Sequence, residues 1–189
     1  MGKPLSDARR PGLRLTPADR VTLTRAALGL GCAVLVALTY AGVLPMRSWP
    51  LFLLAVPAAV LDAVDGPVAR RTGTVTERGS RWDMEVDSAF LLVLSVALFP
   101  LAPWVAVIGL ARYLFWVGGV LRPAWRRPLA FRQSRRIIAA YQAVAMVVAL
   151  APFLPLWVGQ GMTALAVGLL LFSFGRDIAT QERTAAGRL

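Results

Sequence analysis

Histidine does not occur in this chain of 189 residues, and cysteine occurs once, as Cys32. The first absence removes the commonest general base and the commonest transition-metal ligand. The second excludes an intramolecular disulfide and a cysteine-rich metal site, and Cys32, set in an apolar run, reads as packing. Acidic residues are scarce too: 10 Asp and Glu stand against 21 Lys and Arg, for a net charge of +11. Acid, base or metal chemistry therefore falls to a few carboxylates.

What the chain has in excess is apolar surface. Its hydrophobic fraction of 57% and mean hydropathy of +0.62 exceed the roughly 45–50% apolar usage of soluble domains, and point to an integral membrane protein. So basic a chain suits anionic headgroups or phosphorylated substrates. Nucleic acid is the weaker reading, because the basic residues lie between long apolar runs and form no helix-face stripe. Six segments, 25–43, 48–64, 86–101, 103–121, 136–154 and 157–175, approach the ~20 residues a bilayer-spanning helix needs. The expected fold is all-α, with six transmembrane helices preceded by a short amphipathic juxtamembrane helix over 16–29. The first segment has a long charged lead-in and five spans after it, so it reads as a retained anchor.

Nearly all the arginines fall in the N-terminal segment, the second-to-third and fourth-to-fifth connections and the tail, which places these and both termini in the cytoplasm. Trp49, Trp104 and Trp157 mark the three short outer turns, where an interfacial aromatic belt would stand. The resulting organisation is a cytoplasmic arm with its juxtamembrane helix at 1–24, a six-helix domain at 25–178 and a cytoplasmic tail at 179–189. The expected location is the cell membrane, with multiple passes.

Six of the ten acidic residues crowd into DAVDGPVARRTGTVTERGSRWDMEVD, residues 62–87. Asp62 and Asp65 are three apart, Asp83 and Asp87 four apart, and on helices each spacing puts a pair on one face. Gly73 and Gly79 allow the connection to turn back, so that the pairs converge. Pro67 is expected to end or bend the second span. Four like charges at a membrane boundary would cost several kcal/mol uncompensated, and a divalent cation offsets that cost. Oxygen-only ligands favour Mg²⁺ or Mn²⁺ over zinc. The competing reading is of solvated or dipole-paired charges at helix ends. Small residues let a phosphorylated ligand approach the backbone, and Arg70 offers a phosphate clamp.

The pattern Asp62-x-x-Asp65-Gly66-x-x-Ala69-Arg70, then eight residues, then Gly79-x-x-x-Asp83-x-x-x-Asp87, resembles the CDP-alcohol phosphotransferase signature at every fixed position. VTLTR, residues 21–25, is similar to that family's lead into its first span. The resemblance implies a membrane-embedded enzyme, usually a homodimer, that moves a substituted phosphate from a CDP-linked donor to an alcohol acceptor and releases CMP. It implies that Asp62, Asp65, Asp83 and Asp87 surround the metal, that Gly66, Ala69, Arg70 and Gly79 line the nucleotide pocket, and that Asp87 is the general base. The leading expectation is transfer of a phosphatidyl group from CDP-diacylglycerol in phospholipid biosynthesis. A soluble CDP-alcohol with a lipid acceptor is the alternative within the enzyme class. A cation-binding membrane protein or transporter is the alternative outside it, although ion pathways tend to place carboxylates nearer the midplane.

For the acceptor, Arg112 is the candidate by position: an unpaired arginine inside a span is costly and functional by default, its other reading being snorkelling or pairing with a structural carbonyl. Arg135 and Arg136, in SRRIIAAYQ, would join it on an acceptor phosphate; membrane anchoring is their other reading. Relatives that use glycerol 3-phosphate often show a glycine-lysine-threonine pattern here, where this chain has arginines with Ile137 and Ile138. An inositol phosphate and neutral alcohols both stay open.

Overall fold

Long runs of Leu, Ala and Val form helices, and the computed structural model has six among the described residues: α1 Pro17–Tyr40, α2 Trp49–Thr72, α3 Glu77–Leu98, α4 Ala106–Leu121, α5 Gln133–Leu150 and α6 Leu156–Ala186. A 3-10 turn, Pro103–Val105, leads into α4. The structure describes residues 17–72, 77–122 and 133–186, without the side chains of 17–19, 63–81, 83, 119 and 184–186. No strand occurs among the described residues.

Several boundaries differ from the sequence expectation. The juxtamembrane helix is not a separate element: α1 runs unbroken from Pro17, since nothing between Val21 and Leu28 breaks a helix and Pro17 is tolerated in a first turn. α2 passes through Pro67 to Thr72, so Pro67 does not end it. α3 begins at Glu77, well before 86, which puts Gly79, Asp83 and Asp87 inside a helix. α6 continues through most of the expected tail.

By length and composition, Arg20–Tyr40 and Leu156–Arg183 can each cross a bilayer, and Trp49–Asp62 and Pro103–Gly118 are shorter apolar helices. The remaining segments fall short for a physical reason: charge enters them. The first half of α3 carries Glu85 and Asp87, and α5 opens on Arg135 and Arg136. The outer surface is nonetheless apolar, with Leu30, Val34, Leu53, Leu114, Leu171 and Phe172 all exposed. Water would penalise so large an apolar area, whereas lipid covers it.

α3 lies centrally, packed on α1, α4 and α5, while α1 pairs with α2 and α5 with α6. The core contains Cys32, Leu51, Leu94, Leu98, Met146 and Leu150, so Cys32 has the packing role expected of it. Between apolar helices in lipid, association depends on close backbone approach. Gly159 supplies it on α6, where an added Cβ would stand 2.7 Å from the Ala149 Cα of α5. Gly159→Ala is therefore expected to cost about 1–3 kcal/mol, as overpacking does. Gly161→Ala, with nothing within 4 Å, should be neutral or slightly stabilising. Thermal unfolding of the two variants in detergent checks the contrast.

The three short connections meet. Arg47 donates from Nη2 to the carbonyl of Leu154 at 2.6 Å and to that of Ala151. Trp49 stacks on Phe153 with centroids 5.7 Å apart. Gln160 donates to the Leu101 carbonyl at 2.8 Å and Trp104 to Thr163 at 3.1 Å. These contacts close that end of the bundle, leaving the charged groups of α1, α2, α3, α5 and α6 elsewhere.

Candidate active site

Three helices each bury one stripe, and each stripe runs into a charge. On α1 the buried positions Cys32, Val36 and Thr39 continue back to Arg25. On α2 the buried Leu51, Ala55 and Ala58 lead to Asp62, and on α3 Asp87 precedes the buried Phe90 and Leu94. Steps of three, four and seven residues keep each series on one helix face. Packing the apolar stripes together thus delivers one arginine and two aspartates to a common point.

At that point Nη2 of Arg25 meets Oδ1 of Asp62 at 2.7 Å and donates to Oδ1 of Asp87. The guanidinium side chain is 2% exposed, while the carboxylates remain 36% and 38% exposed. A cation shut inside the bundle and shared by two half-open carboxylates counters their repulsion and fixes their direction. Asp65, Gly66, Ala69 and Arg70 occur along α2, and Gly79 and Asp83 along α3, but what surrounds these six positions lies outside what the structure describes. Of the expected metal ligands, the structure therefore shows Asp62 and Asp87 brought together from positions 25 residues apart. Their hard oxygens, open to solvent and free of nitrogen or sulfur competitors, fit Mg²⁺ or Mn²⁺.

A second group lies on the adjoining face of α3, since consecutive helical residues point about 100° apart. Ser88 follows Asp87 and lines, with Met84 and Leu91, a cavity of about 470 Å³ bounded also by α4, α5 and α6. Arg112 is not the unpaired arginine expected of the fourth span. It forms an ion pair with Glu85 and donates to the Met84 carbonyl at 2.5 Å and to Ser88 Oγ at 3.0 Å. Glu85 compensates it because α3 begins early enough to carry that residue alongside α4.

Across the cavity Arg135 meets the buried Asp177 of α6, Nε to Oδ2, at 3.0 Å. Arg112 and Arg135 both line the cavity; Arg136 is exposed and outside the lining. Sequence reasoning missed the pairing role of Arg25, which entered only as a topology charge and as the last residue of VTLTR, and missed Asp177, which lay beyond the expected end of the last span. Continuation of the 3–4 apolar spacing through Arg25 was the available signal.

An acidic pair mounted on a buried arginine in an apolar helical bundle, beside a cavity with two guanidiniums, is the charged centre of a fold of membrane-protein type. The family model for CDP-alcohol phosphatidyltransferase matches residues 15–172, and the chain belongs to that family. It is accordingly a membrane-bound transferase of phosphate-containing groups in phospholipid synthesis, from a family that uses divalent metal ions. A search of curated proteins gave no match.

Proposed function

We propose that this protein transfers a phosphatidyl group from CDP-diacylglycerol to an alcohol acceptor and releases CMP. The observation that carries this reading is the meeting of Asp62 and Asp87 on the buried Arg25 in a chain of this family. Asp62, Asp65, Asp83 and Asp87 would hold Mg²⁺ or Mn²⁺, and Gly66, Ala69, Arg70 and Gly79 the cytidine nucleotide. When bound, the metal supplies charge neutralisation at the donor's pyrophosphate. Asp87 takes the proton of the acceptor hydroxyl, whose oxygen attacks the lipid-bearing phosphorus. The bond from that phosphorus to the bridging oxygen breaks, and CMP departs with the bridging oxygen. Arg25 holds Asp62 and Asp87 in register, and the absence of histidine from the chain supports a carboxylate as the proton acceptor.

On this reading all six helices lie in the cell membrane, with both termini and the Asp87 region towards the cytoplasm, and two copies form the working homodimer. Arg112 and Arg135 receive an acceptor phosphate, while Arg136, exposed, anchors to headgroups. The six-helix domain spans 25–178, with α1 reaching back into the arm at 1–24 and α6 reaching on into the tail at 179–189.

Purified protein with Mg²⁺ and CDP-diacylglycerol should release CMP when an acceptor is added. CMP release with CDP-choline or CDP-ethanolamine and diacylglycerol, but not with CDP-diacylglycerol, would transfer the assignment to the aminoalcohol branch. No release from any donor would leave the cation-binding or transporter reading. Arg112→Ala and Arg135→Ala should each raise the acceptor KM about tenfold or more while moving the donor KM little, and Arg136→Ala should leave both within about twofold. Equal effects on both substrates would make the arginines structural.

A further inference from the structure

Gln142 of α5 and Ser173 of α6 line the same cavity as Arg112 and Arg135. Both are deeply buried, at 5% and 3% exposure. Among the described residues, Nε2 of Gln142 and Oγ of Ser173 have no hydrogen-bond partner. Interior polar side chains are nearly always bonded, so two such atoms facing one cavity call for a ligand that completes them. An acyl chain would complete neither, and would leave two guanidiniums against hydrocarbon.

Arg135, Ile138 and Gln142 share one face of α5, with Gln142 about 10 Å along the helix from Arg135 at 1.5 Å per residue. A ligand whose phosphate lies at Arg112 and Arg135 therefore extends its other end towards Gln142 and Ser173. Among the described residues the lining contains two guanidiniums, each paired with a carboxylate, Arg112 with Glu85 and Arg135 with Asp177. Nε2 of Gln142 is a donor, which an ammonium group, itself a donor only, cannot complete, whereas hydroxyls can accept from Gln142 and exchange hydrogen bonds with Ser173.

We propose that Gln142 and Ser173 are specificity-determining residues that read the non-reacting hydroxyls of the acceptor, so that this protein takes a phosphorylated polyol in preference to an aminoalcohol or a monohydroxy alcohol. The proposal rests on the reading of Arg112 and Arg135 as the acceptor's phosphate site.

The test uses full-length protein in detergent with CMP and Mg²⁺, and two matched probe pairs: myo-inositol 1-phosphate against cyclohexyl phosphate, and sn-glycerol 3-phosphate against propyl phosphate. Calorimetry should show the hydroxylated member of at least one pair binding about tenfold or more tightly over its partner. In Gln142→Leu and in Ser173→Ala that preference should shrink to about threefold or less, with the affinity of the bare phosphate unchanged. Ser173→Ala removes only one oxygen and serves if Gln142→Leu does not fold, as judged by its thermal midpoint. Wild-type protein with no preference in either pair, or a preference surviving in the folded variants, overturns the proposal. In both of those cases, weaker binding of all probes by Arg112→Gln would keep the phosphate site itself. Probe binding indifferent to Arg112→Gln and Arg135→Gln would instead overturn the phosphate-site reading, and the polyol proposal with it.

Discussion

Asp87→Asn is expected to lower kcat by about 10³-fold, within the 10²–10⁴ range that a positioned general base contributes, while affinity for the CDP-linked donor stays within a few-fold. Asparagine has the same shape and keeps an oxygen that can accept from Nη2 of Arg25, the partner seen for Asp87. What it loses is the capacity to take a proton, together with the negative charge it would offer the metal, so both measurements are made at saturating Mg²⁺. No histidine exists elsewhere in the chain to substitute. Single-turnover measurement of CMP release, with donor binding measured separately, distinguishes loss of chemistry from loss of the site. Turnover near the parent level would remove Asp87 from the role of base.

Arg25→Met should be the next most damaging change, although Arg25 is not expected to touch either substrate. Removing the shared guanidinium leaves Asp62 and Asp87 facing each other at the end of three packed helices. Breaking a fully buried pair costs about 3–5 kcal/mol. Both carboxylates here are more than a third exposed, so water screens part of the loss, and about 2 kcal/mol is the expected destabilisation. Activity should fall about a hundredfold, mostly in kcat, because the base is no longer held in line. Arg25→Lys keeps the charge without the fork, and should recover stability more than rate. Added Mg²⁺ should raise the thermal midpoint of Arg25→Met by binding the folded form. A midpoint and kcat equal to the parent's would show that the Arg25 bridge positions nothing.

Much of the site was legible from spacing. Four aspartates at intervals of three and four, set among glycines in an otherwise basic chain, were enough to bring Asp62 and Asp87 forward as partners and to suggest a hard cation. The family followed from the same residues, and the matching family model bears it out. Helix ends were read less well. Pro67 and the charged stretch before residue 86 look like boundaries in sequence, yet α2 and α3 continue through them. The same extension brings Glu85 beside α4 and corrects the reading of Arg112 as unpaired.

By itself the sequence determined an all-helical, lipid-facing chain whose chemistry rests on carboxylates, because composition and residue spacing act locally along each helix. Only the tertiary structure decided which charges meet. Arg25 joins Asp62 and Asp87, Arg112 joins Glu85, Arg135 joins Asp177, and Gln142 and Ser173 come to face one cavity. Each of these pairings depends on which buried stripe packs against which, and periodicity within one helix carries no information about the helix it will touch.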